Sequence, residues 1–116
     1  MPEMLMPSSA LFARGLDRSV AMVTDGRYSG VTHGPCVGYV VPEAADRGPI
    51  SRVRNGDLIR IDIPGRRLDL LVSEEELLKR PAVELKPRTL GGFLKLYVGH
   101  VSASDSGCVM ETAARD

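Results

Sequence analysis

The apolar positions along the chain predict two short buried strands followed by a hairpin. Residues 20–24 and 36–41 are apolar runs of strand length. A hairpin is predicted over residues 57–72, where isoleucines recur at every second position and Pro64-Gly65 suits the centre of a type II turn. This hairpin is the clearest structural feature of the sequence.

Helix signals lie on both sides of the predicted strands. Ser8 or Ser9 caps a first helix that ends before Gly15. A serine and a glutamate three residues later form a capping box at 73–76, and apolar residues at helical spacing over 93–101 predict a last helix that packs on the core or on a partner. The small, polar tail that follows this helix is expected to fray.

Composition and charge exclude several classes of protein. A chain of 116 residues is expected to form a single domain with an apolar core. The 15 basic and 15 acidic residues balance and Trp is absent, which argues against nucleic-acid binding. The longest uncharged stretch, 28–42, is too short and too rich in Gly and Pro to cross a membrane, and no signal peptide is evident. Cys36 and Cys108 lie outside any CxxC spacing, which favours a cytoplasmic protein without disulfides or a zinc site.

A loop at residues 25–34 joins the two apolar strands and carries the candidate chemistry. It holds a carboxylate, a guanidinium, hydroxyls and an imidazole, with glycine at every fourth position from Gly26. Glycines let backbone N–H groups turn towards an anion, so a carboxylate or phosphate is the ligand that this loop favours. Ser29 lies near the end of the first strand. Its hydroxyl needs a cation or an adjacent base to become a base or nucleophile at neutral pH.

Common glycine motifs do not explain this loop, and a purely structural interpretation stays open. The spacing differs from a Walker loop and from a dinucleotide fingerprint, and the serine adjoins the second glycine where GxSxG requires it midway. Asp25 can stabilise the turn, Arg27 can pair with it, and His33 can be a structural residue. Pattern alone assigns no functional role to Glu3.

A series of short motifs extends over nearly the whole chain. They are Met1-Pro2-Glu3-Met4-Leu5, residues 20–30, Thr32-His33-Gly34, Pro42-Glu43-Ala44, Gly48-Pro49-Ile50, Asn55-Gly56-Asp57 and Ile61-Asp62-Ile63. Together they resemble the carboxy-terminal domain of the dihydroxy-acid dehydratase and phosphogluconate dehydratase family. The later segments at 102–104 and 107–109 resemble the dihydroxy-acid dehydratase branch.

The resemblance implies an α+β fold and a dehydratase activity. The implied fold is a mostly β, swivelling β/β/α domain, in which a barrel-like mixed sheet is flanked by short helices and residues 1–116 form one domain. In the family this domain closes over a larger amino-terminal domain. The implied reaction removes water from a 2,3-dihydroxy acid to give a 2-keto acid, in branched-chain amino-acid biosynthesis. Mg²⁺ and an iron-sulfur cluster are the implied cofactors.

The resemblance also implies roles for residues of the glycine loop. Ser29 matches the serine of the family's DGR-aromatic-SG motif and is the implied catalytic base. The implied substrate-binding residues are Arg27, Gly30, Thr32 and His33. Val31 stands where the family often has a second glycine and His33 where several members have arginine, differences expected to alter substrate fit.

Only part of the implied metal chemistry resides in this sequence. Glu3 matches the glutamate of the family's GMPEM motif, an implied Mg²⁺ ligand shared with the amino-terminal domain. Neither Cys36 nor Cys108 matches a ligand of the cluster.

The sequence begins inside the longer GPGMPEM motif of the family. We therefore expect the amino-terminal cluster domain to be absent and the isolated chain to be inactive, with hydro-lyase activity only beside that partner domain. A small hydroxy acid is the expected substrate, homo-oligomerisation stays open, and neither nucleic acid nor a membrane is an expected partner. The alternatives are a sugar-acid dehydratase domain and a non-catalytic anion-binding or assembly module.

Overall fold

The structure, a computed structural model, describes residues 3–30, 32–86 and 88–112. Its regular elements are α1 Leu5–Ala13, β1 Met22–Val23, β2 Cys36–Val37, β3 Ile59–Asp62, β4 Arg67–Leu70, α2 Glu74–Lys79 and α3 Gly92–His100. Short 3-10 turns lie at Ala44–Asp46, Pro49–Arg52 and Ser104–Ser106. This mixture confirms the predicted α+β class. Over the described ranges, the helices are too short or too polar to cross a membrane.

The strands form two separate two-stranded sheets. β1 and β2 are parallel, with Met22 opposite Cys36 and Val23 opposite Val37. β3 and β4 are antiparallel and form the predicted hairpin. The first sheet stays short because glycine and proline, which weaken or end strands, lie on either side of β2. The described residues form no closed barrel, so the predicted barrel-like sheet is not confirmed.

The hairpin is confirmed, but its turn is not the predicted type II. Gly65 does not adopt a positive φ, which instead occurs at Arg66, at 52°. Asp62 Oδ1 accepts the Gly65 N–H at 2.9 Å. A Cβ on Gly65 would lie 2.5 Å from Asp62 Oδ2. Glycine leaves room for the Asp62 carboxylate, which a larger residue at this position would displace.

The first helix begins earlier than the sequence predicts. Ser8 and Ser9 lie inside α1, and the Ser8 hydroxyl donates to the Leu5 carbonyl at 3.0 Å. The predicted serine cap is therefore wrong. Glu3 Oε1 accepts the Leu5 N–H at 2.9 Å and satisfies one of the free amides at the start of the helix.

The second helix confirms its predicted cap and adds a partly buried ion pair. Ser73 Oγ accepts the Glu76 N–H at 3.2 Å. Arg80, the residue after α2, donates to both carboxylate oxygens of Asp57, at 2.6 and 3.1 Å. The two side chains are only 11% and 10% exposed. This pair holds α2 against the turn that precedes the hairpin.

The expected apolar core is not found among the described residues. No apolar side chain in these ranges is fully buried. Val23 and Val37 of the first sheet face Ile59 and Leu70 of the second across an open cavity of about 610 Å³. The side chains that are buried belong to Ser8, Ser51 and Ser102. Polar contacts therefore have a large part in holding the loops in place.

The described part of the tail, up to residue 112, is held by backbone contacts, contrary to the expectation that it frays; residues 113–116 lie outside the described residues. Val101 forms an antiparallel bridge with Met110. The buried Ser102 hydroxyl accepts the Val109 N–H at 3.0 Å, which closes the loop between them.

We expect Asp57→Asn to lower the thermal stability of the chain at neutral pH. The Arg80 guanidinium, hydrogen-bonded to Asp57, holds the pKa of this carboxyl below its ordinary value of 3.8. A lowered pKa stabilises the fold above pH 3.8, and this contribution is lost as the pH falls through the lower folded-state value. The test compares the thermal unfolding temperatures of the unchanged chain and Asp57→Asn from neutral pH down to below pH 3.8.

The matched control for Asp57→Asn is Glu75→Gln. This change breaks an ion pair between Glu75 and Lys79, both of which are well exposed. Exposed pairs contribute about 0–1 kcal/mol, so little change is expected. If Asp57→Asn were less stable than the unchanged chain by the same amount in acid as at neutral pH, the proposed contribution of the Asp57–Arg80 ion pair would be contradicted.

Candidate functional site

The predicted loop leaves the carboxyl end of β1 beside the carboxyl end of β2. The Thr24 N–H donates to the Val37 carbonyl at 2.9 Å, and the Tyr39 N–H donates to the Gly26 carbonyl at 2.9 Å. These bonds extend the parallel pairing beyond the strands and fix where the loop begins. The loop that follows is therefore presented from a defined edge of the sheet.

Glu3 lies directly against this loop. It forms a parallel bridge with Arg27, and the Met4 N–H donates to the Arg27 carbonyl at 2.8 Å. Glu3 Oε1 accepts the Ser29 N–H at 3.2 Å, in addition to the Leu5 N–H. The structure thus brings together two residues, 26 positions apart, that separate motifs had indicated.

Ser29 and Arg27 are accessible to a ligand. Both are exposed. Within the described ranges, no group hydrogen-bonds to the Ser29 hydroxyl and no carboxylate pairs with the Arg27 guanidinium. Gly30 has a φ of 81°, a conformation that favours glycine. The arrangement leaves the hydroxyl of Ser29, the guanidinium of Arg27 and Gly30 exposed to solvent.

Asp25 has a structural contact, in keeping with one of the interpretations from sequence. Its Oδ2 accepts the Ala44 N–H at 2.8 Å. The Gly26 N–H donates to Thr24 Oγ1 at 2.9 Å. These two bonds stabilise the turn between β1 and the exposed part of the loop. Asp25 is therefore engaged with a backbone amide and not with Arg27.

His33 packs against α1. Its ring stacks on Phe12, with centroids 4.0 Å apart and an interplanar angle of 19°. The Cys36 thiol donates to the His33 carbonyl at 3.3 Å. Thr32 is exposed, and Val31 lies outside the described residues. Substrate binding by Thr32 and His33 stays a prediction.

Tyr28 anchors the loop by packing against the residue after β2. The sequence analysis did not identify this role. A Cβ on Gly38 would lie 2.7 Å from the Tyr28 ring, so the ring packs closely on the backbone that follows β2. Burial raises the pKa of the Tyr28 phenol, and the neighbouring Cys36 thiol raises it further. The phenol therefore stays neutral near pH 7. The one signal for this role was the aromatic position between Arg27 and Ser29.

The described residues fit the implied metal groups unequally. Glu3 Oε2 accepts no hydrogen bond from them, which leaves one hard carboxylate oxygen of the kind that Mg²⁺ prefers. In the same ranges, no three His, Cys, Asp or Glu side chains are grouped around a point that a metal ion could occupy. Cys36 and Cys108 are both free thiols. The site therefore fits one Mg²⁺ ligand and does not fit an iron-sulfur cluster, which thiolates hold.

Comparison with known proteins decides the family. The sequence model for the C-terminal region of dihydroxy-acid/6-phosphogluconate dehydratases matches residues 1–108. The chain belongs to this family. The resemblance found in the sequence is thereby confirmed over most of its length.

Individual dehydratases are similar over almost the whole chain. Dihydroxy-acid dehydratases of Carboxydothermus hydrogenoformans and Pyrococcus furiosus are 54% and 53% identical to it, over 94% and 95% of its length. That of Clostridium novyi is 47% identical over 96%. The chain spans only about a fifth of the length of these relatives, 20% to 21%.

We expect Gly34→Ala to destabilise this dehydratase domain more than Gly15→Ala does. Both glycines have a positive φ, of 77° and 67°, which costs about 1–2 kcal/mol for alanine. A Cβ at Gly34 would lie 1.9 Å from the Asp17 carbonyl oxygen, whereas one at Gly15 meets nothing within 4 Å. Urea unfolding of both variants separates the backbone cost from the clash. Equal destabilisation would contradict the close approach at Gly34.

Proposed function

We propose that this chain is the catalytic carboxy-terminal domain of a dehydratase that converts a 2,3-dihydroxy acid into a 2-keto acid in branched-chain amino-acid biosynthesis. The observation that carries the proposal is the hydrogen bond from the Ser29 N–H to Glu3 Oε1. It joins the implied base to the implied metal ligand. Membership of the dehydratase family and the names of the relatives support the class of reaction.

In this proposal, Ser29 Oγ removes the proton from C2 of the substrate. The electron pair of the C2–H bond forms a double bond between C2 and C3 while the C3 hydroxyl leaves. The proton removed from C2 and the departing hydroxide account for the water that is lost. The resulting enol then tautomerises to the 2-keto acid. The absence of hydrogen bonds to the Ser29 hydroxyl from the described residues supports its availability for this step.

A neutral serine hydroxyl is too weak a base for this step, so Ser29 would act as the alkoxide, which a nearby positive charge stabilises. When bound, the metal groups of the family supply that charge and the Lewis acidity for the leaving hydroxyl. Glu3 would hold Mg²⁺ through Oε2, since Oε1 already accepts two backbone amides. The remaining ligands would come from the amino-terminal domain.

The substrate carboxylate would bind on the exposed side of the loop. The Arg27 guanidinium supplies a charge-assisted hydrogen bond, and the Gly30 amide supplies a neutral one. Thr32 and His33 complete the proposed substrate contacts. His33 would act from its stacked position on Phe12, which limits the directions in which its ring can reach.

The proposal includes a partner that is larger than this chain. The relatives are about five times longer, and the described residues supply no cluster site. The chain is then a single swivelling domain, with a barrel-like sheet as in the family, that is inactive alone and acts in the cytoplasm. Purified chain should form no 2-keto acid, and turnover by the chain alone would contradict this part.

Ser29→Ala is expected to lower kcat by about 100-fold to 10,000-fold, the usual contribution of a general base. The assay joins the preceding region of the Pyrococcus furiosus relative to this chain, loads the chimera with Mg²⁺ and the cluster, and follows 2-keto acid formation from 2,3-dihydroxyisovalerate. Ser9→Ala, an exposed serine of α1, is the matched control and should leave kcat unchanged.

Two results would overturn this assignment of Ser29. One is full activity of Ser29→Ala in a chimera that turns over dihydroxyisovalerate. The other is a loss of activity that accompanies an equal loss of folded protein in urea unfolding. Turnover of a sugar acid alone would instead favour the sugar-acid dehydratase alternative.

Glu3→Gln is expected to raise the Mg²⁺ concentration needed for half-maximal activity of the chimera by at least about 10–100-fold. Glutamine keeps an oxygen that can accept the Leu5 and Ser29 N–H groups but loses the negative charge. Magnesium titration measures the effect, with Glu75→Gln as the control. An unchanged requirement would remove Glu3 from the metal site.

A further inference from the structure

The last helix presents an apolar surface to solvent. At 3.6 residues per turn, its apolar side chains cover an arc of about 200°, with Lys95 on the opposite side. All of them are between 37% and 69% exposed: Phe93, Leu94, Leu96, Tyr97 and Val98. Phe93 and Tyr97, one turn apart, have ring centroids 6.4 Å from each other. Contiguous apolar surface of this kind marks a contact site for another protein surface.

Two more exposed apolar residues lie in the segment that returns to the end of the helix. The Glu111 N–H donates to the His100 carbonyl at 2.7 Å, and His100 Nδ1 lies 3.1 Å from the Glu111 carbonyl oxygen. These bonds hold the returning segment against the end of α3. Val109 and Met110 in this segment are also exposed. We call these two residues and the five apolar residues of α3 the α3 surface.

The whole chain has more surface than a self-contained domain of its size. Its accessible area is 8931 Å², whereas a chain of 12.5 kDa is expected to expose about 6,200 Å². Its radius of gyration is 16.0 Å, against about 13 Å expected. The excess of about 2,700 Å² exceeds the roughly 800 Å² that each partner buries in a standard interface. The excess area is therefore more than one standard interface needs.

We propose that the α3 surface docks on an apolar surface of the amino-terminal region of a dihydroxy-acid dehydratase. This rests on the proposed function. The relatives hold about four-fifths of their length outside the matched region, so a body large enough to cover this surface exists in the family. Glu3 supplies only one metal ligand from the described residues, so the site also needs that body beside it. A second copy of this chain would add, from its described residues, no group of three metal-binding side chains.

Hydrogen exchange of the α3 amides tests the docking. The chain alone is compared with the chimera that carries the preceding region of the Pyrococcus furiosus relative. We expect α3 amides to exchange at least 10-fold more slowly in the chimera, because docking adds an opening step before exchange. Equal exchange overturns the proposal. Protection in the chain alone that rises with concentration, together with a dimer in sedimentation, overturns it in favour of a second copy.

A matched pair of substitutions locates the contact. Leu96 on α3 and Leu78 on α2 are 60% and 67% exposed, so Leu96→Glu and Leu78→Glu should both leave the urea midpoint of the chain alone unchanged. In the chimera, Leu96→Glu should abolish the 10-fold protection of α3, whereas Leu78→Glu should keep it. Equal effects of the two changes overturn the proposal.

The exchange measurement is independent of catalysis. It requires neither metal, cluster nor substrate. A chimera with protected α3 amides and no turnover would contradict the proposed reaction while the docking stands. An active chimera with unprotected α3 amides would overturn the docking alone.

Discussion

One carboxylate joins the start of the chain to the candidate site. Glu3 Oε1 accepts the amide hydrogen of Leu5 at 2.9 Å and that of Ser29 at 3.2 Å. The first amides of a helix lack partners within the helix, and a charged acceptor stabilises them more than a neutral one. The position of the Ser29 loop therefore depends on the same ionised group that starts α1. Because both bonds use Oε1, they also orient Oε2, much as outer contacts orient the ligands of a metal.

A second polar connection holds the start of the loop. The Asp25 carboxylate accepts the Ala44 N–H at 2.8 Å, and the neighbouring Glu43 carboxylate accepts the Ser104 hydroxyl at 3.3 Å. Ser104 belongs to the segment that returns from α3. Two side-chain hydrogen bonds thus connect the strand end that carries the loop to the region beside the α3 surface. If another domain docked on the α3 surface, these two hydrogen bonds would couple its position to the position of the loop.

Short sequence patterns predicted the structure formed by neighbouring residues. They did not predict contacts between residues that are distant in sequence. The hairpin and the Ser73 cap of α2 depend on residues a few positions apart, so the sequence could indicate them. The type II turn was wrong because the Asp62 carboxylate closes the turn with a different backbone geometry. The bond between Arg80 and Asp57 spans 23 residues, and no period or motif predicts it. Glu3 entered the site only through family resemblance, since its pattern alone carried no functional signal.

The loop and the α3 surface are both exposed to water, and the proposed chemistry and the proposed docking both require that water to be removed. In water, a negative oxygen on Ser29 is stabilised mainly by solvent, which competes with Arg27 and a cation for the charge. Removing water strengthens each of these interactions, because electrostatic energy varies inversely with the local dielectric constant. Closing a body over the loop carries a desolvation cost for its charged groups, which burial of apolar area elsewhere must offset. The α3 surface provides such area on residues outside the loop, so closure would not require the loop itself to become apolar.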